Sequence, residues 1–183
     1  MVRRAMPEGR YVFPSSVDGL LKGLGPLATA ELKAHLKEHG LDVTRLPPAI
    51  PVAEWSPHLK RAALYAWPTE PEDEALRLLG LHFIRGWKST AMGAAASALL
   101  KLVGPARTLS RLDRAFRTSD NFTHAVTTIL GANEALVSIN EVQGYPTYWI
   151  GILQGGLEVL GCEGTVTVDK VEAPGATLRV TWT

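Results

Sequence analysis

The chain has 183 residues, 46% apolar and 20% charged, with a net charge of +1. That length and balance suit one globular domain with a sizeable core, and a charge this close to zero gives no general attraction to polyanions such as nucleic acid. A single cysteine, Cys162, rules out an internal disulfide, the opening MVRRAMPEGRYVF lacks the apolar run of a signal peptide, and no apolar stretch is long enough to span a bilayer, so a cytoplasmic location is expected.

In chain order, residues 1–14 read as an N-terminal tail and residues 15–183 as a single α+β domain. Ser15-Ser16-Val17-Asp18 has capping-box character and predicts a short helix over Val17, Leu20, Leu21 and Leu24, stopped by Gly25-Pro26. Thr29 caps a second helix that buries Leu32 and Leu36 and ends at Gly40. Pro47, Pro48 and Pro51 make an extended connector, and a third helix is predicted from Val52 to about Tyr65, interrupted or restarted near Pro57. Thr69-Glu70-Pro71-Glu72 combines an N-cap, a first-turn proline and a capping-box glutamate, followed by a helix carrying Leu76, Leu79, Phe83 and Trp87. The small side chains from Ala91 to Ala98 predict a helix that packs closely or lies at a subunit interface. Gly104-Pro105 breaks it and starts another, ARTLSRLDRAFRTS.

After Asn121 the pattern changes to runs rich in Thr, Val and Ile. NFTHAVTTIL and EALVSINEV pair as a hairpin around Gly131-Ala132-Asn133, and TVTVDKV and ATLRVTW as a second around Pro174-Gly175. In the last run Leu178, Val180 and Trp182 alternate with Arg179 and Thr181, the mark of a sheet wet on one face. Between the hairpins, Pro146 to Gly161 reads as an apolar helix with Trp149, Ile152, Leu153, Leu157 and Leu160 at helical spacing. Its interior glycines, Gly151, Gly155 and Gly156, each cost about 1 kcal/mol relative to alanine, so a close neighbour is expected along that backbone. The predicted fold is an N-terminal helical layer on a small antiparallel sheet of about four strands, made of two hairpins separated by this helix.

Chemistry-bearing residues are sparse. His35, Glu38 and His39 match the H-x-x-E-H spacing of an inverted zinc-protease motif, but the helix stops at Gly40 and no third ligand accompanies them; the expected reading is a solvated helix end and no metal site. From Arg77 to Arg117 eight cations face only Asp113, and in the last predicted helix Arg107, Arg111 and Arg114 share one face. They are candidates for a docking surface toward an acidic protein partner, weighed against an ordinary solvated face; no nucleic-acid motif accompanies them. Cys162 follows a helix end and precedes Glu163, a poor setting for a nucleophile. No G-x-S-x-G, P-loop or dinucleotide fingerprint occurs, so no catalytic residue is assigned.

The run from VFPSSVDGLLKGL to the final Trp resembles a paralogous myxobacterial family of unknown function, domain-of-unknown-function family 2378. The likeness is carried by Val17-Asp18-Gly19-Leu20, Gly40-Leu41-Asp42, Trp55, Ala75 to Gly80, Gly86 with Thr90, Gly104-Pro105, Asn121-Phe122, and Tyr145-Pro146 with Gly151 through Gly161. The C-terminal half also resembles the fold shared by haem-NO-binding domains, vinyl-4-reductase-type domains and TRAPP tethering subunits. That resemblance implies frequent homodimerisation and often an apolar ligand cavity. The Tyr-x-Ser-x-Arg run that cradles haem propionates in the haem-binding branch is absent, and no cofactor is expected. With the resemblance, Phe83, Trp87, Tyr148, Trp149, Ile152, Gly155 and Gly156 become candidates to line a pocket for an apolar small molecule. The alternative expectation is a dimeric adaptor or scaffold that works through protein contacts with no ligand.

Overall fold

A computed structural model describes residues 9–183, apart from the side chains of Ala91 and Met92. A two-residue strand β1 (Tyr11–Val12) pairs antiparallel with β2 (Ile50–Pro51), placing Val12 opposite Ile50. Four helices follow one another around them: α1 (Pro14–Leu24), α2 (Ala30–Glu38), α3 (Val52–Ala66) and α4 (Glu72–Lys88). Next come α5 (Ala91–Val103), two short helices α6 (Pro105–Leu109) and α7 (Leu112–Phe116), and the hairpin β3 (Ala125–Gly131) with β4 (Glu134–Ile139). Helix α8 (Pro146–Leu160) leads into the second hairpin, β5 (Gly164–Glu172) with β6 (Gly175–Trp182). The four long strands form one antiparallel sheet in the order β3-β4-β6-β5, so the two hairpins meet along β4 and β6.

Several helix starts differ from expectation. The first helix opens at Pro14, because proline fits the first helical position without an N–H. The hydroxyls of Ser15 and Ser16 do not cap it; they donate to the carbonyls of Thr118 and Ser119, tying α1 to the segment after α7. With Tyr11 and Val12 paired in a strand, the ordered fold reaches upstream of Ser15, while residues 1–8 of the expected tail lie outside the described residues. Helix α3 continues through Pro57, which stands within its first two turns, where few backbone bonds are forfeited. Helix α4 starts after Pro71 with no side-chain cap, although Glu72, Asp73 and Glu74 fill its first turn and complement the dipole. The cap predicted at Thr29 is present: its Oγ1 accepts from the Leu32 N–H at 3.2 Å.

Helix α4 is the axis on which the other layers close, and glycine makes that possible on two sides. A Cβ placed at Gly80 would stand 2.0 Å from the Tyr148 carbonyl oxygen, and one at Gly151 would stand 1.9 Å from that of Arg77, so α4 and α8 touch backbone to backbone. A Cβ placed at Gly86 would stand 2.1 Å from the Gly23 N, so α1 comes equally close to α4. A polar rim runs along the α4–α8 seam, where Arg77 reaches Gln154 at 2.7 Å and Arg85 grips Glu158 through two bonds of 2.9 and 2.8 Å. Gly161 takes the left-handed conformation at the end of α8, as the predicted helix stop requires.

The sheet is wet on one face. Ala135, Val137 and Ile139 of β4 and Ala176, Leu178, Val180 and Trp182 of β6 are buried against the helical layer, with Val137 registered on Leu178 and Ala135 on Val180. On the outer face Arg179 binds Asp169 of β5 and Glu134 of β4, bridging three strands.

One buried histidine gives the fold a pH dependence. His58 of α3 is 4% exposed and its Nδ1 has no hydrogen-bond partner among the described residues. Burial, then the neighbouring charges of Arg61 and His39, hold its proton affinity below the ordinary 6.5. The unfolded chain therefore takes up a proton before the folded one, so stability is full above about 6.5 and declines as pH falls through that value toward the folded one. Denaturant midpoints measured from pH about 8 to about 5 are expected to fall over this window, with the fall reduced in a His58→Leu variant.

Candidate functional site

A cavity of about 310 Å³ opens between α4, α5, the α6–α7 pair and α8. One wall comes from α4 through Phe83, Ile84 and Trp87, and the floor from α8 through Trp149, Ile152 and Gly156. Helix α5 contributes Ala96 and Leu100, while Leu109, Leu112 and Phe116 close the remaining side from α6 and α7. Its volume falls at the lower end of the roughly 300–1,000 Å³ typical of small-molecule sites.

The aromatic groups are held in fixed relation. Trp149 stands edge-on to Phe116 at 5.2 Å between ring centres and to Tyr148 at 6.0 Å, and Tyr148 meets Phe83 at 6.5 Å. Edge-to-face packing of this kind stabilises the cluster beyond area burial, by about 0.5–1.5 kcal/mol per pair. Burial first, and the nearby Asp120 carboxylate second, push the Tyr148 phenol well above its ordinary value, so it stays protonated.

Polar groups on this wall divide into satisfied and unsatisfied. Asp120, buried, receives the backbone N–H groups of Phe122 and Thr123 at 3.0 and 2.7 Å and the Thr123 hydroxyl at 2.8 Å. Desolvation raises its proton affinity against the pull of those bonds. The Ser56 hydroxyl lies within hydrogen-bond reach of both the Val52 carbonyl, at 3.0 Å, and Gln143 Oε1, at 3.1 Å. By contrast the Trp149 indole N–H and the Thr108 hydroxyl are buried with no partner among the described residues.

Of the residues expected to line a pocket, Phe83, Trp87, Tyr148, Trp149, Ile152 and Gly156 lie on this cavity. Gly155 does not: a Cβ there would stand 2.8 Å from Ile84 Cβ, so it serves the α4–α8 contact. Gly156 differs from its neighbours in having nothing within 4 Å of an added Cβ; its missing side chain leaves open space in the cavity.

The arginine stripe is not continuous. The helix expected after Pro105 breaks at Ser110-Arg111, placing Arg107 in α6, Arg111 in the break and Arg114 in α7. The Ser110 hydroxyl back-bonds to the Ala106 carbonyl at 2.9 Å, which competes with continuation of the helix. Within the basic window Arg77 pairs with Glu74, Arg85 with Glu158 and Arg117 with Asp113. Arg107, Arg111 and Arg114 take part in no ion pair among the described residues, and Arg111 stands on the cavity rim. The break also brings Thr108, Leu109, Leu112 and Phe116 onto the cavity, a contribution missed from sequence because an unbroken amphipathic helix was expected there.

His35 and His39 lie at the end of α2 with ring centres 4.5 Å apart, and His39 Nδ1 bonds to the His35 carbonyl at 2.8 Å. His35 stacks on Tyr65 at 5.7 Å. Among the described residues no group of three or more His, Cys, Asp or Glu side chains is placed to hold one metal ion, and no helix is long and apolar enough to cross a membrane.

The family model for DUF2378, described as a protein of unknown function, matches residues 10–183. No curated protein matches the chain. Among solved structures, an oxygen-binding H-NOX domain related to soluble guanylate cyclases, in its oxygen complex, is similar with a TM-score of 0.67 and 14% identity over 93% of this chain and 94% of that one. An H-NOX variant from K. algicida in the unliganded Fe(II) form gives 0.66 and 12% over 91% and 96%. A structure concerned with haem redox potential and porphyrin distortion gives 0.67 and 13% over 93% and 94%. At these identities the likeness is one of fold.

Proposed function

We propose that this chain, which belongs to the DUF2378 family of proteins of unknown function, is a non-enzymatic small-molecule-binding domain with a sensory or regulatory role. The observation that carries this reading is the cavity itself: a mostly apolar space of about 310 Å³, walled mainly by helices α4 to α8, with a few fixed polar groups. The H-NOX-like fold supports it, because one such neighbour is described as oxygen-binding, in its oxygen complex. Asp120 is already engaged by three donors of its own loop, which leaves it poorly suited to act as a general base.

Haem does not suit this lining. Among the described residues the cavity presents no histidine, cysteine or methionine as an axial ligand. Tyr148 is disfavoured as a phenolate by its burial and by Asp120. Among the described residues Arg111 is the one cation on the wall, against the two carboxylates a haem carries. The reading is therefore of a different, smaller guest.

Native mass spectrometry of the protein, compared with its denatured mass, tests this reading. A small non-covalent adduct that disappears on denaturation is the expected result; a mass equal to the bare chain after incubation with cell extract contradicts it.

A second reading, a homodimeric adaptor, is favoured by one observation. Leu99 and Leu102, one turn apart on α5, are 66% and 85% exposed, and a second copy of the chain would cover them. Under that reading Arg107 and Arg114 serve an acidic protein partner. A Leu102→Lys variant is then expected to shift the mass in solution from dimer to monomer, as read by light scattering; an unchanged mass excludes this face.

A further inference from the structure

We infer that strand β3, an open edge of the sheet, docks the same strand of a second copy of this chain, the two pairing antiparallel about a two-fold axis. The cavity plays no part in it. Strand β3 is an outer strand and pairs with β4 on one side only. The His124 carbonyl accepts from the Asn140 N–H at 3.1 Å, so residues of even number turn their backbone groups toward β4 and those of odd number turn theirs away. Ala125 follows this alternation: its N–H leaves the hairpin and donates to Asp113 Oδ1 at 3.4 Å. The N–H and C=O groups of Thr127 and Ile129 therefore face outward, and among the described residues they have no partner.

An open row of alternating backbone donors and acceptors is matched by another strand. The side chains along this one are apolar and exposed: Val126 at 68%, Leu130 at 47% and Ile129 at 43%. From Ala125 to Gly131 the strand carries no charged residue and no proline, two of the devices that keep an edge from pairing. The opposite edge, β5, is guarded by Asp169, Lys170 and Glu172 and by a register shift between Val168 and Lys170. Two copies of β3 meet with no charge on either strand and close as a dimer. Pairing of β3 with β5 would be head to tail, would not close, and would set an apolar strand against a charged one. The register follows from the free groups. Thr127 opposite Ile129 of the second copy, and the reverse, satisfies every outward N–H and C=O of both residues. That centres the axis on Thr128 and sets Val126 at the level of Leu130 of the second copy, where each covers the other. A register centred on Thr127 needs the Ala125 N–H, which Asp113 already holds.

Sedimentation of the full chain tests this. A contact one strand wide belongs with weak associations, so the mass is expected to rise from monomer at about 5 μM toward dimer at about 200 μM. Val126→Lys, on an exposed side chain, and Ile129→Pro, which removes an outward N–H without touching the β4 ladder, are each expected to stay monomeric at the higher concentration. Val171→Lys on β5 and Leu102→Lys on α5 are expected to dimerise like the parent, and the melting temperature establishes which variants are folded. In a Cys162→Ser background, Thr128→Cys is expected to give a disulfide-linked dimer on mild oxidation. Val126→Cys is not, since its two copies stand about 13 Å apart along the strands, four residues at about 3.3 Å each. A parent that stays monomeric overturns the inference. So does a dimer that survives both β3 variants, or one that Leu102→Lys or Val171→Lys abolishes instead.

Discussion

Replacing Gly151 with alanine is expected to destabilise the fold by about 3 kcal/mol or more, at the upper end of what overpacking usually costs. The added methyl would stand 1.9 Å from the Arg77 carbonyl oxygen and 2.7 Å from the Leu81 N, both backbone atoms of α4. Neither can swing aside as a side chain would, so α8 must move bodily away from α4. That movement would separate Gly80 from Tyr148 and strain the pairs Arg77–Gln154 and Arg85–Glu158 on the seam. The roughly 1 kcal/mol that alanine gains over glycine in helix propensity does not offset this. Gly156→Ala is the internal control. It lies in the same helix, has nothing within 4 Å of the new methyl, and is expected to be neutral or stabilising by up to about 1 kcal/mol. Denaturant unfolding of the two variants checks the pair: equal stabilities would mean that α4 and α8 do not cross at Gly80 and Gly151.

The second large effect is on binding. Gly156→Leu introduces four heavy atoms into the cavity, each about the size of a water molecule at roughly 30 Å³, or about 120 Å³ in all. Against a cavity of about 310 Å³ that removes more than a third of the space and fills the floor between Ile152 and Leu153 of α8. The surroundings are apolar and open, so the fold is expected to tolerate the change, while binding of any guest that fills the cavity is lost. A variant that melts like the parent and binds nothing separates the two properties; one that melts like the parent and binds normally places the guest elsewhere.

The contrast between these two glycines shows what was legible in the sequence. Pro146 and Gly161 mark the ends of α8 because their backbone requirements are local, and the alternation on β6 marks its buried face for the same reason. Three glycines within α8 signal that something depends on absent side chains, but they do not say what. At Gly151 and Gly155 the space is taken by α4, and at Gly156 it is empty. That distinction is set by which helix arrives from elsewhere in the chain, and a list of helical faces does not contain it.

The break between α6 and α7 was hidden for a related reason. Leu109, Leu112 and Phe116 satisfy an amphipathic helix, and only tertiary packing turns them toward the cavity from two short helices. The same break places Arg111 on the rim and separates it from Arg107 and Arg114, which dissolves the single charged face that helical spacing predicts. The aromatic residues were easier. Phe83, Trp87, Tyr148 and Trp149 are too large to leave unpacked, and their positions on two central helices lead toward a shared interior.

Native mass spectra of the parent protein and of Gly156→Leu, recorded side by side after incubation with the same extract, test the central claim most directly. The cavity account predicts a small dissociable adduct on the parent and none on the variant, at matched melting temperature. The same adduct on both proteins, or none on either, would contradict it.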